Sequence, residues 1–180
     1  MRFLYYVNLI KHDYESRYFS KINFFKFIKA YTLDINFRVV VRYRIQSHLY
    51  GGNKLSGILA IIIRNGNIKK YSVELGLNSK IGEGFNIHHI NGIVIGDNVV
   101  IGKGFSVFQQ VTVGKKNIGY PTIGDNVTVY PGAKVIGDIF IGDNVVIGAN
   151  SVVNKNIDQG KSVAGVPAIE IIKKKSLKRV

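Results

Sequence analysis

The sequence predicts a mainly β fold, in which about four coils of short parallel strands follow an α-helical region. An aliphatic residue recurs every six positions between Leu75 and Val153, and a glycine often follows it. A fixed short period is typical of a solenoid, whose repeats bury their apolar edges only by stacking on one another. Residues 1–70 lack this period and carry clustered apolar residues, which favours helices.

A six-residue repeat suits one face of a triangular parallel β-coil, with the aliphatic side chain pointing into the stack. Glycine beside it permits a tight corner or a close approach of two backbones. At three positions per coil, thirteen aliphatic positions correspond to about four coils. The aliphatic positions are Leu75, Ile81, Ile87, Ile95, Ile101, Val107, Val113, Ile123, Val129, Val135, Ile141, Ile147 and Val153.

The period is interrupted twice, and both interruptions are candidate functional segments. Ile87 and Ile95 are eight residues apart, and Val113 and Ile123 are ten apart. The extra residues fall in segments 88–92 and 115–121, and the first contains two of the four histidines in the chain. Repeat proteins tend to place insertions on one functional face.

The region before the repeat is predicted to form helices with a wide apolar face. Segment 51–53 (GGN) should separate two helices, and segment 65–67 (NGN) should end the last one. One interpretation is a helical region that covers the open edge of the first coil and packs between subunits. The other is a peripheral membrane contact, because basic residues lie among the aromatic ones.

Composition restricts the function. The absence of cysteine excludes disulfides and thiolate catalysis. The formal charge of +14 favours an anionic partner, but no nucleic-acid-binding motif is present, so we expect none. Residues 1–10 are apolar but short and are followed by no signal-peptide cleavage site. The most apolar later run, residues 55–63, is too short to span a bilayer. We expect a cytoplasmic protein, with the inner face of the membrane as a further location.

Several runs carry a resemblance to a known family. They are "GFNIHHINGIVIGDNVVIGKGFSVFQQVTVGKK", "YPTIGDNVTVYPGAKVIGDIFIGDNVVIGANSVV", "VAGVPA" and, before the repeat, "YRIQSHLY". Residues 37–170 resemble the hexapeptide-repeat acyltransferases, and within them the serine-acetyltransferase-like branch. The resemblance implies a left-handed parallel β-helix over residues 71–163, a C-terminal loop and basic tail over 164–180, a homotrimer, and acetyl-CoA as co-substrate without a metal.

The resemblance also implies a catalytic pair. His89 occupies the position of the family's general base, and an imidazole suits the task because it can take a proton from an alcohol near neutral pH. Glu74 matches an acidic residue, aspartate in the serine acetyltransferases, that orients this histidine. Spacing alone does not bring Glu74 to His89. The alternative interpretation of His88 and His89 is a pair of surface histidines.

The acceptor site departs from the family. Serine acetyltransferases carry an aspartate where this chain has His88, and an arginine-histidine pair where it has Gly119 and Tyr120. A site for an amino acid needs a carboxylate for the ammonium group and a cation for the carboxylate. We therefore expect a sugar acceptor such as a surface polysaccharide, with serine as the alternative and a non-catalytic or membrane-binding scaffold as a third possibility. The expected acceptor residues are His88, Asn91, Gln109 and Tyr120.

The resemblance places acetyl-CoA along a groove bordered by small residues and closed by the C-terminal loop. Gly114 is the best candidate, because the narrow pantetheine chain needs a close backbone approach. Lysines of the tail could neutralise CoA phosphates, although a run of charges is usually only solvated. The expected CoA-binding residues are Gly114, Lys115, Ala133, Gly148, Ala149, Val166, Pro167, Lys173 and Lys174.

Overall fold

The computed structural model describes residues 2–117 and 119–171. Four helices come first: α1 (Arg2–Tyr18), α2 (Phe24–Leu33), α3 (Ile35–Tyr50) and α4 (Lys54–Tyr71). Fifteen short strands follow in the described residues: β1 (Val73–Leu75), β2 (Lys80–Ile81), β3 (Asn86–Ile87), β4 (Ile93–Ile95), β5 (Val100–Ile101), β6 (Ser106–Val107), β7 (Thr112–Gly114), β8 (Thr122–Ile123), β9 (Thr128–Val129), β10 (Lys134–Ile136), β11 (Phe140–Ile141), β12 (Val146–Ile147), β13 (Val152–Val153), β14 (Ser162–Ala164) and β15 (Ile169–Glu170).

The strands form three sheets, to which each coil contributes one strand in turn. Sheet A has the order β1-β4-β7-β10-β13, sheet B β11-β8-β5-β2, and sheet C β15-β14-β12-β9-β6-β3. Pairing is parallel throughout, except that β15 runs antiparallel to β14. The predicted fold class is confirmed: a helical region precedes a β-solenoid of about four turns.

The core of the solenoid is the predicted aliphatic column. All thirteen repeat positions are at most 5% exposed, and they pack together in one cluster. The following glycine is required where backbones touch: a Cβ at Gly76 would lie 2.4 Å from Asp97 Cα, and one at Gly82 would lie 2.6 Å from the Gly102 carbonyl oxygen. The period therefore reflects tight stacking of successive coils.

The helices begin where the sequence offers side-chain acceptors for free amide groups. Asn23 accepts a hydrogen bond from the Lys26 amide, and Asn53 accepts one from the Ser56 amide, both at 2.9 Å. Asp34 accepts from the amides of Asn36 and Phe37. Such N-cap bonds satisfy donors that the first helical turn leaves unpaired.

Segment 51–53 separates α3 from α4 as predicted, but the prediction that segment 65–67 ends the last helix is wrong. Helix α4 continues to Tyr71 and ends at Ser72, which has φ 53°. Arg42 of α3 explains the continuation, because its Nε donates to Asn67 Oδ1 at 2.5 Å. A side chain at Gly66 would meet the Arg42 guanidinium at 2.8 Å, so the glycine leaves room for this contact. Packing against α3 outweighs the roughly 1 kcal/mol cost of a glycine within a helix.

The first coil presents carbonyl groups that no earlier coil can satisfy. Along the strands, amides of each coil donate to carbonyls of the next, as Gly82 does to Ile101 and His88 does to Val107. The carbonyls of the first coil are therefore left for other donors, and a buried carbonyl without a partner is costly.

Side chains of the helices supply these donors. Gln46 Nε2 donates to the Leu75 carbonyl at 2.9 Å, and the Tyr43 hydroxyl donates to the Ser79 carbonyl at 2.9 Å. The Arg44 guanidinium donates to the carbonyls of Ile81 and Gly82 at 2.5 and 2.6 Å. Helix α3 thus closes the solenoid edge with three buried polar residues.

Arg44 is itself held by a buried ion pair with Asp13 of α1. Its Nε and Nη2 lie 2.8 and 2.9 Å from the two carboxylate oxygens, and both side chains are almost fully buried. Burial works to lower the pKa of Arg44, but the Asp13 carboxylate raises it above the ordinary value. Burial also raises the pKa of Asp13, against the opposing effect of Arg44. The two short hydrogen bonds between the side chains favour the ion pair. Asp13 also accepts the Phe85 amide at 2.9 Å, which joins α1 to the solenoid.

In residues 2–117 and 119–171, no helix has the length and apolarity needed to cross a membrane.

We expect Arg44→Met to lower the free energy of unfolding by about 3–5 kcal/mol, because it leaves the Asp13 carboxylate buried without its partner. Chemical denaturation followed by circular dichroism measures the change. Lys103→Met is the matched control, because its ion pair with Glu83 is solvent-exposed and should contribute little. Equal stability of the two variants would contradict the role given to Arg44.

Candidate functional site

The histidine segment lies at one corner of the solenoid, where sheet C passes to sheet A. This C–A corner comprises residues 88–92, 108–111, 130–133 and 148–151. Successive coils are tied together there: the Gln110 amide donates to the Asn91 carbonyl at 2.8 Å, and the Gly132 amide donates to the Gln109 carbonyl at 3.0 Å. His88, His89, Asn91 and Gln109, all predicted site residues, therefore lie along one edge.

His88 begins a column of stacked rings on the outer surface of this corner. Its imidazole lies 4.3 Å from the Phe108 ring at an interplanar angle of 8°, and Phe108 lies 5.1 Å from Tyr130 at 15°. The next position in the column is Gly148, which leaves the outer side of Tyr130 without a fourth ring. Tyr130 is 41% exposed. His88 is thus oriented by packing rather than by a carboxylate.

His89 is exposed in the bend that follows β3, with its ring centroid 6.1 Å from that of Phe108 at an interplanar angle of 50°. His88 is half-buried in the ring column, whereas His89 is not stacked in it. His89 is the imidazole that a ligand at the corner could reach.

Helical side chains hold the backbone that leads into the two histidines. Arg17 Nη1 donates to Asn86 Oδ1 at 2.6 Å and to the Ile87 carbonyl at 2.8 Å. Asn36 Nδ2 donates to the His88 carbonyl at 3.0 Å. We call these two residues the backbone clamp, because they fix the peptide groups immediately before His89.

The clamp is anchored on Asp34, whose carboxylate is ionised. Arg17 Nε and the Tyr18 hydroxyl both donate to Asp34 Oδ2 at 2.6 Å. Burial works to raise the pKa of Asp34, but the hydrogen bonds from Tyr18 and Arg17 hold it below its ordinary value. Burial and the same carboxylate raise the pKa of Tyr18 to about 12, which keeps its hydroxyl a donor.

Glu74 is half-buried on the outer face of β1, beside Val94 of β4. The Gly92 amide donates to the Ser72 carbonyl at 2.7 Å, so the segment containing Glu74 meets the segment that follows His89. Within residues 2–117 and 119–171, neither the Glu74 carboxylate nor the His89 imidazole forms a side-chain hydrogen bond. The structure brings the two segments together without the predicted Glu74–His89 contact.

Gln109 adds an unsatisfied acceptor at the same corner. Its Oε1 atom is buried and has no hydrogen-bond partner in the described part of the chain. A buried amide oxygen is costly to leave unpaired. This atom could accept an N–H or O–H group of a bound molecule.

The predicted CoA residues fall into distinct environments. A Cβ built at Gly114 meets nothing within 4 Å, so the space beside this glycine is open. A Cβ at Gly148 would lie 2.9 Å from Ala164, so coil packing also requires that glycine. Ala133 is fully buried in the core and exposes neither its side chain nor its backbone to a ligand. Ala149, Val166 and Pro167 are exposed, whereas Lys173 and Lys174 lie outside the described residues.

Tyr120 and Lys115 lie at the next corner, between sheets A and B. A Cβ at Gly96 would lie 2.9 Å from Tyr120 Cε1, so the tyrosine ring packs closely on that glycine. Lys115 Nζ lies 5.9 Å from the centre of the Tyr120 ring. The structure therefore does not group Tyr120 with the other predicted acceptor residues, which lie at the C–A corner.

Four residues at the site were missed by the sequence analysis. Phe108 and Tyr130 could have been found, because they occupy repeat positions that usually carry glycine. Arg17 and Asn36 give no such signal, because they lie 70 and 52 residues from the carbonyls that they bind.

Comparison with known proteins agrees with this architecture. The sequence model of the family described as bacterial transferase hexapeptide (six repeats) matches residues 120–155. Salmonella typhimurium serine acetyltransferase is 37% identical over 107 residues, which cover 57% of this chain and 38% of that protein.

Two solved structures extend the similarity to the helical region. Neisseria gonorrhoeae serine acetyltransferase in complex with serine superposes with a TM-score of 0.81 at 27% identity, covering 94% of this chain and 70% of that one. A serine acetyltransferase in complex with CoA gives a TM-score of 0.78 at 30% identity, covering 92% and 69% of the two chains. The chain belongs to the serine acetyltransferase family of hexapeptide-repeat transferases.

This serine acetyltransferase family member spans 38% of the length of its Salmonella relative. These relatives are named for serine, and none of their names supports the sugar acceptor expected from the sequence. His88 nevertheless stands, stacked on Phe108, where the family is expected to carry an aspartate.

We expect thermal stability to fall as the pH drops below the ordinary imidazole pKa of 6.5, because burial and the charges of Arg17 and His89 lower the pKa of His88. The unfolded chain binds a proton in this window and the folded chain does not, so protonation favours unfolding until the folded pKa is passed. Asp34 titrates outside the window, because its hydrogen bonds from Tyr18 and Arg17 hold its pKa below the ordinary carboxyl value despite burial.

Thermal unfolding of the wild type and of His88→Phe between about pH 7.5 and pH 5.5 measures this effect. The variant keeps a stacking ring but cannot bind the proton, so its melting temperature should fall much less towards low pH than that of the wild type. The control His12→Asn, on the exposed side of α1, should show the same fall as the wild type. If the melting temperature of His88→Phe fell with pH as steeply as that of the wild type, a group other than His88 would cause the loss of stability.

Proposed function

We propose that this chain transfers an acetyl group from acetyl-CoA to an alcohol hydroxyl, with His89 as the general base. The observation that carries the proposal is the placement of His89: an exposed imidazole, at the interrupted repeat, after backbone held by Arg17 and Asn36. Membership in a family of acetyltransferases supports the reaction type.

The proposed reaction needs one proton carrier. His89 takes the hydroxyl proton as the alcohol oxygen attacks the thioester carbonyl carbon, and a tetrahedral intermediate forms. When the intermediate collapses, the carbon–sulfur bond breaks and the proton returns from the imidazolium to the CoA thiolate. Base catalysis of this kind is typically worth ~10²–10⁴-fold in rate.

Glu74 is proposed to orient His89 once the site is occupied. Its carboxylate is half-buried on β1, and its segment meets the end of the histidine loop through the Gly92–Ser72 hydrogen bond. A rotation of the half-buried Glu74 side chain and of the exposed His89 ring would be needed to join them. Catalytic hydrogen bonds are often loose before substrate binds and tighten in the complex.

Acetyl-CoA is proposed to lie beside Gly114 and along the exposed small and apolar residues Ala149, Val166 and Pro167, within a homotrimer. The open space at Gly114 supports this path, and a family member is known in complex with CoA. Gln109 Oε1 could accept an amide N–H of the pantetheine arm or the acceptor hydroxyl, which would satisfy an otherwise unpaired buried atom.

Serine is the acceptor that the relatives support, since one of them is a complex with serine. A sugar hydroxyl is the second candidate, and one observation favours it. The position next to His89 carries a ring stacked on Phe108, which in turn stacks on Tyr130, where binding of an ammonium group calls for a carboxylate. Aromatic surfaces suit the apolar face of a sugar better than they suit a zwitterion.

We expect His89→Gln to lower kcat about 10²–10⁴-fold, because the amide can hydrogen-bond but cannot take the proton. Release of CoA from acetyl-CoA, followed with a thiol reagent, measures the rate with any productive acceptor. The matched control His12→Gln, an exposed histidine on α1, should leave kcat unchanged. Full activity of His89→Gln would exclude this residue as the base.

Acceptor competition decides between the two candidates. With acetyl-CoA fixed, a serine acetyltransferase should release CoA with serine and not with neutral or acidic sugars. In the sugar case, Tyr130→Gly should raise the KM for the sugar without a comparable loss of kcat, because it removes a stacking surface and leaves His89 in place. Turnover with serine that is unaffected by Tyr130→Gly would reject the sugar acceptor.

A further inference from the structure

Helix α2 carries apolar side chains on two opposite sides, and only one side is packed. Ala30, Phe27 and Tyr31 lie against Tyr14 and Phe37 in the core of the helical region. The outer side is exposed: Phe24, Phe25 and Leu33 are 72%, 81% and 73% exposed, and Ile28 is also exposed. We call Phe24, Phe25, Ile28 and Leu33, with the preceding Phe19, the α2 surface.

Such a surface is unusual for a water-facing helix. A helix that is apolar all round is normally buried, and contiguous exposed apolar patches mark interaction sites. Within the described residues, nothing covers Phe24 or Phe25. Scattered single hydrophobic residues would need no explanation, but these lie at neighbouring positions of one ten-residue helix.

An open apolar groove continues the α2 surface towards α1. Its volume is ≈ 380 Å³. It is lined mainly by Val7, Ile10, Ile22, Phe24 and Phe27, and Lys11 stands at its edge. A groove of this size could accept an apolar chain segment that enters beside the phenylalanine rings.

The charges on helix α2 itself are all positive, while Glu15 of α1 lies beside Phe19 and Lys21. Residues 19–33 include Lys21, Lys26 and Lys29 and no acidic residue. Lys26 Nζ donates to the Lys21 carbonyl at 3.1 Å, so two of the lysines lie close together. Asp34, the acidic residue that follows the helix, is already paired with Arg17. The rim therefore has a net positive charge.

The positive charge distinguishes between two possible partners of the α2 surface, a second copy of the chain and an anionic lipid surface. A symmetric contact with a second copy would bring the same lysines towards one another, because a two-fold interface pairs a patch with itself. Like charges in such a contact oppose association. An anionic lipid surface instead offers phosphates to the lysines and an acyl boundary to the phenylalanines.

We propose that α2 docks this protein on an anionic lipid surface. Phe24, Phe25 and Ile28 enter the boundary between headgroups and acyl chains, and Lys26 and Lys29 contact phosphates. The helix lies in the plane of the surface, since no helix in the described chain is long and apolar enough to span it. The inference does not depend on the acetyl-transfer proposal.

Vesicle sedimentation tests the proposal with the full-length chain. We expect binding to vesicles of phosphatidylcholine with phosphatidylglycerol, weaker binding in high salt, and little binding to phosphatidylcholine alone. Phe24→Ser/Phe25→Ser and Lys26→Gln/Lys29→Gln should each lower the partition coefficient about tenfold or more. The control Phe140→Ser removes an exposed ring from the solenoid and should bind as the wild type does.

Three results would overturn the proposal. They are equal binding to neutral and anionic vesicles, full binding by both double variants, and a change in oligomeric mass on Phe24→Ser/Phe25→Ser in analytical ultracentrifugation. The last would show that the α2 surface joins copies of this chain. Thermal unfolding checks that the variants fold. If the phenylalanine variant does not fold, the lysine variant still tests the proposal, because its changes are confined to exposed side chains.

Discussion

The structure depends on satisfying the carbonyl groups at the open edge of the first coil. Successive coils satisfy one another along the strands, because the strand amides of each coil donate to the carbonyls of the next. The first coil has no predecessor. A free edge would leave buried carbonyl groups without donors, and strands of other chains could pair with it. Gln46, Tyr43 and Arg44 of α3 replace the missing coil with side-chain donors.

The same requirement shapes the candidate site. Sheet C begins with β3, and the carbonyls at its end are those of Ile87 and His88. Arg17 and Asn36 satisfy them, so closing the edge also fixes the backbone that leads into His89. The helical region is therefore part of the site's support, in addition to being a cover for the solenoid.

The repeat explains why the site surface looks as it does. At sheets A and B, the residue after the buried aliphatic is glycine in most coils, because neighbouring backbones approach closely. At sheet C, the same position carries His88, Phe108 and Tyr130, whose rings stack on one another along the solenoid. These exceptions to the repeat produce an aromatic surface next to the exposed imidazole of His89.

The sequence by itself determined the solenoid, its aliphatic core and the segment in which the candidate base lies. These features follow from a local six-residue period, because every repeat stacks on its neighbours through the same kind of contact. Tertiary structure alone decided the extension of α4 past Gly66, the packing of Tyr120 on Gly96, and the clamp of Arg17 and Asn36. The reason is physical: each is a contact between residues distant in the chain, and a periodic pattern holds no information about which distant donor meets which carbonyl.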